Sequence, residues 1–269
     1  MERNPKPALL DDLRTVAAAA GNAIMRVYDS EFDVEFKDDR SPLTEADRAS
    51  HELIVEALSA LEPALPILSE ESAPEELKNR LNWDSYWLVD PLDGTKEFVK
   101  RNGEFTVNIA LVEQNRAVMG VVLAPAKGLE YSGASGLGAW KRILDGPLEE
   151  IHVASKQTGP ARVVCSRSHP SGALSAYLER LGPHELKRMG SALKICLIAD
   201  GQADVYPRFG PTSEWDTAAA QAILETAGGS MMDPVGQTLR YNITDGFLNP
   251  YFLAFGDPDR DWLAAVSDG

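Results

Sequence analysis

Apolar residues recur at helical spacing twice near the start of the chain. Residues 8–28 predict a first amphipathic helix, whose apolar stripe is Leu9, Leu13, Val16, Ala17, Ala20, Ile24 and Val27. A second helix is expected from about Thr44, because Thr44-Glu45-Ala46-Asp47 matches a capping box and an apolar stripe follows it. Between the two helices, residues 32–36 alternate as a strand does, and residues 37–42 have the composition of a loop.

The middle of the chain predicts several short strands. Residues 66–68 and 86–89 are short apolar runs, and acidic residues follow each of them closely. Residues 73–84 between these runs have the composition of a surface segment. Three further runs are separated only by short turns, which favours antiparallel pairing, and they span residues 105–112, 117–123 and 128–131.

The second part of the chain alternates strands with helices. Strands are expected at 162–165, 184–187, 204–206 and 251–255, and helices at 172–181, 191–199, 217–227 and after 255. This order is typical of strands layered with helices, an α/β arrangement. Residues 144–161 carry glycine, proline and charge, so we expect a linker there. We therefore divide the chain into an N-terminal α+β half, 1–156, and a C-terminal α/β half, 157–269.

Composition and charge narrow the functional classes. The chain has 269 residues, of which 44% are hydrophobic and 25% charged, as in ordinary globular proteins. No apolar run approaches the ~18 residues needed to cross a bilayer, and no secretory apolar core follows residues 1–7. We expect no export, no membrane span and a cytoplasmic location. The net charge of −15 argues against non-specific binding of nucleic acid polymers, and an anionic substrate would need a bound cation or a local basic pocket.

The cysteines argue against a soft-metal site. Cys165 and Cys196 do not form a C-x-x-C pair, and both lie in apolar surroundings. We interpret them as buried free thiols in a reducing compartment. If the protein binds a metal, oxygen ligands must therefore dominate.

The densest group of acidic residues is Asp90-Pro91-Leu92-Asp93-Gly94-Thr95, directly after an apolar strand. Pro and Asp-Gly are also common in plain turns, so a turn without chemistry is one interpretation. The alternative is a hard-cation site, in which Asp90 and Asp93 offer carboxylate oxygens and Leu92 offers its carbonyl. The amides of Gly94 and Thr95 could then bind a phosphate oxygen.

Two other acidic elements indicate a functional site only when they are considered together with Asp90 and Asp93. Glu70-Glu71 follows a short strand, where adjacent acids are usually solvated. Trp215-Asp216 lies at a predicted helix start, where an aspartate is often only a favourable charge for the helix dipole. Asp216 lies 123 residues after Asp93, so only folding could bring the two together.

Together the three elements resemble the magnesium-dependent, lithium-sensitive phosphatase superfamily of inositol monophosphatases and fructose bisphosphatases. The superfamily pattern is an acidic pair after a strand, then D-P-[LI]-D-G-[ST], then a distant W-D-x-A, and all three occur here in that order. Within the superfamily the chain is most similar to the bacterial CysQ-type 3′(2′),5′-bisphosphate nucleotidases. That similarity is carried by residues 86–98, 101–110 and 206–212.

The resemblance implies a layered αβαβα fold and a metal-dependent phosphatase mechanism. Two or three Mg²⁺ ions would be bound by Glu70, Asp90, Asp93, Asp216 and the carbonyl of Leu92. Thr95 would orient the attacking water through a hydrogen bond to Asp47, although Asp47 also fits a plain capping role. Glu70 is counted among the catalytic residues, and Gly94, Thr95 and Asp216 are also expected to contact substrate.

The resemblance also implies a substrate with two phosphates. The nucleotide and its second phosphate would be bound by His169, Ser191, Lys194 and Arg208, where a surface charge or a helix cap is the alternative interpretation. The expected reaction removes the 3′-phosphate of 3′-phosphoadenosine 5′-phosphate to give AMP and phosphate, with 3′-phosphoadenylyl sulfate as a further substrate. This would recycle a by-product of sulfate assimilation.

Other functions and the assembly state stay open from sequence. The same metals with a different pocket would give an inositol monophosphatase or a fructose-1,6-bisphosphatase. A non-catalytic module that binds Mg²⁺ or nucleotide, or a structural Ca²⁺ site, is a further alternative. We expect a monomer or a homodimer, and peripheral contact with the inner membrane is left open although no lipid-seeking segment supports it.

Overall fold

The computed structural model describes residues 7–31, 34–36, 42–155, 159–167 and 172–266. The predicted strand at 32–36 is therefore described only over 34–36, and most of the predicted loop at 37–42 lies outside the described residues. Within the described residues, no helix has the length and hydropathy of a membrane span.

Over its described residues, the first part of the chain forms three α-helices and nine strands. The helices are α1 (Pro7–Tyr28), α2 (Glu45–Ser59) and α3 (Thr95–Val99). The strands are β1 (Val34–Phe36), β2 (Pro42–Thr44), β3 (Ile67–Ser69), β4 (Ser85–Asp93), β5 (Thr106–Glu113), β6 (Arg116–Ala124), β7 (Leu129–Ala134), β8 (Gly138–Ile143) and β9 (Glu149–Glu150). β3 to β9 form one sheet in chain order, in which only β3 and β4 are parallel, and β1 pairs with β2.

The second part forms a smaller sheet with three helices. The strands are β10 (Ala161–Ser166), β11 (His184–Met189), β12 (Val205–Arg208), β13 (Ser230–Met232) and β14 (Phe252–Phe255). The helices are α4 (Gly172–Leu181), α5 (Leu193–Ala199) and α6 (Ala218–Thr226). The sheet order is β11-β10-β12-β14-β13, in which β10 is parallel to both neighbours and β14 is antiparallel to both of its own.

The two sheets and their helices stack in five layers. Alternate side chains of β4 point to opposite faces of the large sheet and enter different cores. Trp87 and Val89 pack with α1 and α2 on one face. Tyr86 and Leu88 pack with α5 and α6 on the other face. The far side of α5 and α6 packs on the smaller sheet, and α4 covers that sheet's outer face through Tyr177. The layered αβαβα prediction is confirmed.

Helix α6 lies directly on the backbone of the large sheet. A Cβ atom added at Gly120 of β6 would lie 2.2 Å from the carbonyl oxygen of Ala219. Only glycine allows this approach. This contact fixes the start of α6, and with it Asp216, against the sheet that carries the other acidic residues.

Most predicted elements are confirmed, with shifts of a few residues at their ends. The exceptions are β2, α3, β8, β9 and β13, which were not predicted, and the helix expected after 255, which is wrong over the described residues to 266. β9 lies inside the linker that was expected at 144–161. After residue 255 the described chain forms only a short 3₁₀ turn at Leu263–Ala265. Asp257 accepts hydrogen bonds from the backbone of Asp259 and, through its carbonyl, from the Trp262 ring, and Pro258 has no amide to donate.

Segment 73–84 departs in part from the surface prediction. It is largely exposed, but Arg80 is buried and donates to Asn242 and to the carbonyls of 244–246. Its guanidinium also lies over the ring of Phe247. The segment is therefore attached to the C-terminal part of the chain through this side chain and through the Arg80 carbonyl, which accepts from Asn242 Nδ2 at 2.6 Å. The cysteine prediction is confirmed, since Cys165 and Cys196 are buried and free.

Candidate active site

The parallel pairing of β3 and β4 brings the first acidic elements together. Ser69 pairs with Val89, and the amide of Glu70 donates to the Val89 carbonyl at 3.1 Å. Parallel strands end at the same edge of a sheet, so Glu70 leaves β3 beside Asp90. This placement explains why the charge of Glu70 raises the pKa of Asp90.

A bulge in β4 presents Asp90 and Asp93 from one turn. The pairing with β5 steps from Asp90–Asn108 to Asp93–Thr106, so β4 has one extra residue there. The strand therefore continues to Asp93, beyond the end at Asp90 that the sequence predicts. The amide of Leu92 donates to Asp90 Oδ1 at 3.0 Å, which fixes the turn internally. Gly94 follows with φ of 90°, a left-handed conformation that glycine adopts without strain.

Asp216 reaches the same place from the other half of the chain. It ends a short 3₁₀ turn, Glu214–Asp216, just before α6. Its Oδ2 accepts from the amide of Ser213 at 2.9 Å, so its carboxylate is oriented by its own turn. The close contact of α6 with the large sheet then places this carboxylate beside β4.

Three carboxylates form a compact cluster. One oxygen from each of Asp90, Asp93 and Asp216 lies within 4.8 Å of the others. Burial raises the pKa of all three. Neighbouring carboxylates raise the pKa of Asp90 and of Asp216 further, and that of Asp216 reaches about 8. Buried carboxylates this close need a cation to be ionised together, and an all-oxygen donor set suits a hard divalent ion. The residues present therefore fit a divalent metal.

Asp93 is held by both halves of the chain. Its Oδ2 accepts from the amide of Ala192 at 2.7 Å, and more weakly from Asn108 Nδ2 at 3.3 Å and Thr106 Oγ1 at 3.4 Å. The nearby Lys194 charge lowers the pKa of Asp93 and partly opposes the effect of burial. Thr106 and Asn108 were not singled out from the sequence. Polar side chains two residues apart on a buried strand were the signal that could have found them.

Thr95 and Asp47 lie together at the start of α3. Thr95 Oγ1 lies 3.4 Å from Asp47 Oδ1 and 3.4 Å from the Leu92 carbonyl, so either can accept its proton. Asp47 Oδ2 accepts from the amide and the hydroxyl of Thr44 at 2.8 and 2.6 Å. The capping box of α2 is therefore present, and the same carboxylate also faces Thr95.

One open cleft of about 640 Å³ is lined by two carboxylates of the acidic cluster, which we call its acidic end, and by Lys194 and Arg208, which we call its basic end. It is lined by Asp93, Gly94, Ser191, Lys194, Arg208 and Asp216, among others. The amine of Lys194 donates to the Ser191 carbonyl, and Arg208 donates to Thr212 Oγ1 at 2.7 Å and to the Pro211 carbonyl at 2.6 Å. His169 lies outside the described residues. The other predicted contacts of the second phosphate thus share one cleft with the carboxylates.

The chain matches a family and several characterised proteins along nearly its whole length. The family is the inositol monophosphatase family, matched over residues 9–254. The 3′(2′),5′-bisphosphate nucleotidase CysQ of Salmonella typhimurium is 51% identical over 246 residues, which cover 91% of this chain and 98% of that protein. The corresponding protein of Escherichia coli strain K12 is 49% identical with the same coverage.

Solved structures agree with these relatives. CysQ from Bacteroides thetaiotaomicron, described as a bacterial member of the inositol monophosphatase family, is 40% identical with a TM-score of 0.81, covering 93% of this chain and 97% of that one. An IMPase from Thermotoga maritima is 25% identical with a TM-score of 0.79, covering 96% of each chain. From the family match and these relatives it follows that this chain belongs to the inositol monophosphatase family.

Proposed function

We propose that the protein is a 3′(2′),5′-bisphosphate nucleotidase that converts 3′-phosphoadenosine 5′-phosphate to AMP and phosphate. The observation that carries the proposal is one cleft lined both by carboxylates of the acidic cluster and by Lys194 and Arg208. A substrate with two separated phosphates matches this distribution of charge. The names of the relatives from Salmonella typhimurium and Escherichia coli support the same substrate class.

The carboxylate end would hold two or three Mg²⁺ ions. Their ligands would be Glu70, Asp90, Asp93, Asp216 and the Leu92 carbonyl. Bound there, such ions polarise the phosphate oxygens, lower the pKa of a water molecule and stabilise the leaving alkoxide. This role is consistent with the acidic net charge, because bound cations would invert the local field that an anionic substrate meets.

Protein groups would position the reacting atoms. When the Thr95 hydroxyl donates a hydrogen bond to Asp47, a lone pair on Thr95 Oγ1 is available to accept a hydrogen bond from the attacking water. The amides of Gly94 and Thr95 are the candidates for binding an oxygen of the phosphate that is cleaved. Asp47 is held by Thr44, so its carboxylate is in place to accept the Thr95 hydrogen bond before substrate binds.

The basic end would bind the second phosphate. Lys194 and Arg208 supply charge, Ser191 supplies a hydroxyl, and His169 is added from the sequence resemblance. Burial lowers the pKa of Lys194, while the neighbouring Asp93 carboxylate opposes that shift. With 3′-phosphoadenylyl sulfate also accepted, the reaction would serve the recycling of a by-product of sulfate assimilation.

Turnover of a small substrate panel tests the proposal. Phosphate release is measured from 3′-phosphoadenosine 5′-phosphate, inositol 1-phosphate and fructose 1,6-bisphosphate, first with Mg²⁺ and then with a chelator. We expect the nucleotide to give the highest kcat/KM and chelation to abolish turnover. A preference for the inositol or fructose ester would instead favour the alternative activities of the same fold.

A further inference from the structure

Residues 190–192 form an unusual turn on the wall of the cleft, just before α5. Ser191 has φ of +46°, a left-handed conformation that costs energy for a residue with a side chain. Its hydroxyl is buried and has no hydrogen-bond partner among the described residues. Such a conformation persists only where its surroundings hold it in place.

Two carboxylates from the first half of the chain bind the amides on either side of Ser191. Asp93 Oδ2 accepts from the amide of Ala192 at 2.7 Å, and Glu104 Oε2 accepts from the amide of Gly190 at 2.8 Å. Asp93 also belongs to the acidic cluster, whereas Glu104 does not. Glu104 is therefore the group that holds this turn without taking part in the predicted metal site.

Glu104 also fixes a second segment of the cleft wall. It is only 7% exposed, and its two oxygens accept from Arg167 Nε at 3.2 Å and from an Arg167 terminal nitrogen at 2.7 Å. Arg167 directly follows Ser166, which lines the cleft at the end of β10. One buried carboxylate thus joins the end of β10 to the turn that carries Ser191. We refer to Glu104, Arg167 and Gly190 as the Glu104 junction.

The Glu104 junction is tightly packed, and it leaves no room for a side chain at Gly190. A Cβ atom added at Gly190 would lie 2.7 Å from the Glu104 carbonyl oxygen, 2.9 Å from Glu104 Cβ and 3.0 Å from Glu97 Cγ. The first of these neighbours is backbone, which cannot move aside. Moreover, a buried carboxylate with both oxygens bonded is costly to leave unpaired, so the three partners are expected to stay together.

We propose that Glu104 is a positioning residue for the second phosphate of the substrate, acting through Gly190 and Arg167 on the turn that carries Ser191. The inference rests on the proposed function, because it assigns the second phosphate to this end of the cleft. Glu104 would set the affinity for the bisphosphate and leave the chemistry at the acidic cluster unchanged.

Steady-state kinetics of Glu104→Ala, Glu104→Gln and Arg167→Ala test this assignment. Each is measured with 3′-phosphoadenosine 5′-phosphate and with adenosine 3′-monophosphate, which lacks the second phosphate. For Glu104→Ala we expect KM for the bisphosphate to rise about 10- to 100-fold, the fold-change of one charge-assisted hydrogen bond, with kcat and the monophosphate KM little changed. In Glu104→Gln the KM for the bisphosphate should rise less than in Glu104→Ala, because the glutamine amide oxygen can still accept a hydrogen bond from the Gly190 amide.

A matched control separates positioning from general loss of stability. Glu130 is also buried and also pairs with an arginine, Arg142, but it lies on β7 away from the cleft lining. Glu130→Gln should lower the melting temperature without changing the ratio of the two KM values. Hydrogen exchange adds a direct readout, since the Gly190 amide should exchange faster in Glu104→Ala than in the wild type.

The outcomes separate this inference from the proposed function. A wild type that does not prefer the bisphosphate overturns the proposed function and this inference with it. A wild type that prefers the bisphosphate, with equal effects of the Glu104 variants on both substrates or none on either, overturns the role of Glu104 alone. If Glu104→Ala does not fold, Glu104→Gln and Arg167→Ala test the role of Glu104 instead, through the ratio of KM for the bisphosphate to KM for the monophosphate.

Discussion

The carboxylates of the acidic end, Asp90, Asp93 and Asp216, lie within 4.8 Å of one another, whereas Lys194 and Arg208 of the basic end already donate to oxygens of the protein. The acidic end carries repulsion that only a proton or a cation relieves. The basic end is preorganised by its own hydrogen bonds. Changes at the acidic end should therefore affect the chemical step, and changes at the basic end should affect substrate affinity.

The largest effect is expected from Asp93→Asn. The substitution removes a charge from the predicted metal site, while the amide can keep an acceptor for the Ala192 N–H. We expect kcat to fall roughly a thousandfold, which corresponds to about 4 kcal/mol of transition-state stabilisation. Phosphate release at saturating Mg²⁺ measures it, with circular dichroism to show that the variant is folded. A folded variant with near-normal turnover would contradict the metal assignment.

A somewhat smaller loss is expected at Thr95. Thr95→Val keeps the shape but removes the hydroxyl that faces Asp47, so kcat should fall about a hundredfold or more. Thr95→Ser retains the hydroxyl and serves as the matched control. Single-turnover phosphate release distinguishes the chemical step from product release. Equal rates for the Val and Ser variants would show that the hydroxyl has no part in the reaction.

At the basic end, Lys194→Met should act mainly on KM. The substitution removes the charge and keeps much of the side-chain volume in a buried position. KM for 3′-phosphoadenosine 5′-phosphate should rise about 10- to 100-fold, as expected for one lost charged contact, and KM for a monophosphate should change far less. If both substrates lose affinity equally, Lys194 does not bind the second phosphate, and the contrast between the two ends fails.

A further effect concerns stability in the absence of metal. The pKa of Asp216 is raised to about 8 in the folded protein from an ordinary value near 4, so the folded state holds a proton that the unfolded state has lost. The free energy of unfolding of the metal-free protein should therefore fall as the pH rises from about 4 to 8. Urea unfolding across this range measures it. Bound Mg²⁺ should reduce this fall in the free energy of unfolding. A free energy of unfolding that rises with pH would contradict the crowding of the carboxylates.

The acidic end was largely predictable from sequence, and the basic end was less so. Asp90 and Asp93 lie in one short motif, and their geometry follows from a strand and a turn that local patterns indicate. The position of Asp216 was only implied by the resemblance, because no local pattern connects residues 123 apart. Its placement depends on α6 lying against Gly120, a contact between distant segments.

The residues that support the site could not be found from local pattern. Glu104 precedes a strand and Arg167 follows another, and each alone resembles an ordinary surface charge. Their pairing with Gly190 exists only because β5 and β10 belong to two sheets that meet at the cleft. Arg80 was likewise placed on the surface, although it is buried against Asn242 and Phe247. Buried ion pairs between distant segments leave no periodic signal in a sequence.

The division into halves at 156 stays a prediction. Helices α5 and α6 belong to the second half by sequence, yet they pack between the two sheets and contact both. Asp93 and Ala192 are also joined across the boundary. The site itself therefore depends on both halves, whatever their independence in folding.

Calorimetric titration of Mg²⁺ into the metal-free protein tests the central claim most directly. We predict saturable binding of two or three ions to the wild type, and proton release on binding near pH 7, because Asp216 must ionise. Asp216→Asn should lose at least one of these ions although it leaves the Asp90–Thr95 turn untouched. Binding by Asp216→Asn that equals the wild type, or no binding by the wild type, would contradict a metal site built from both halves of the chain.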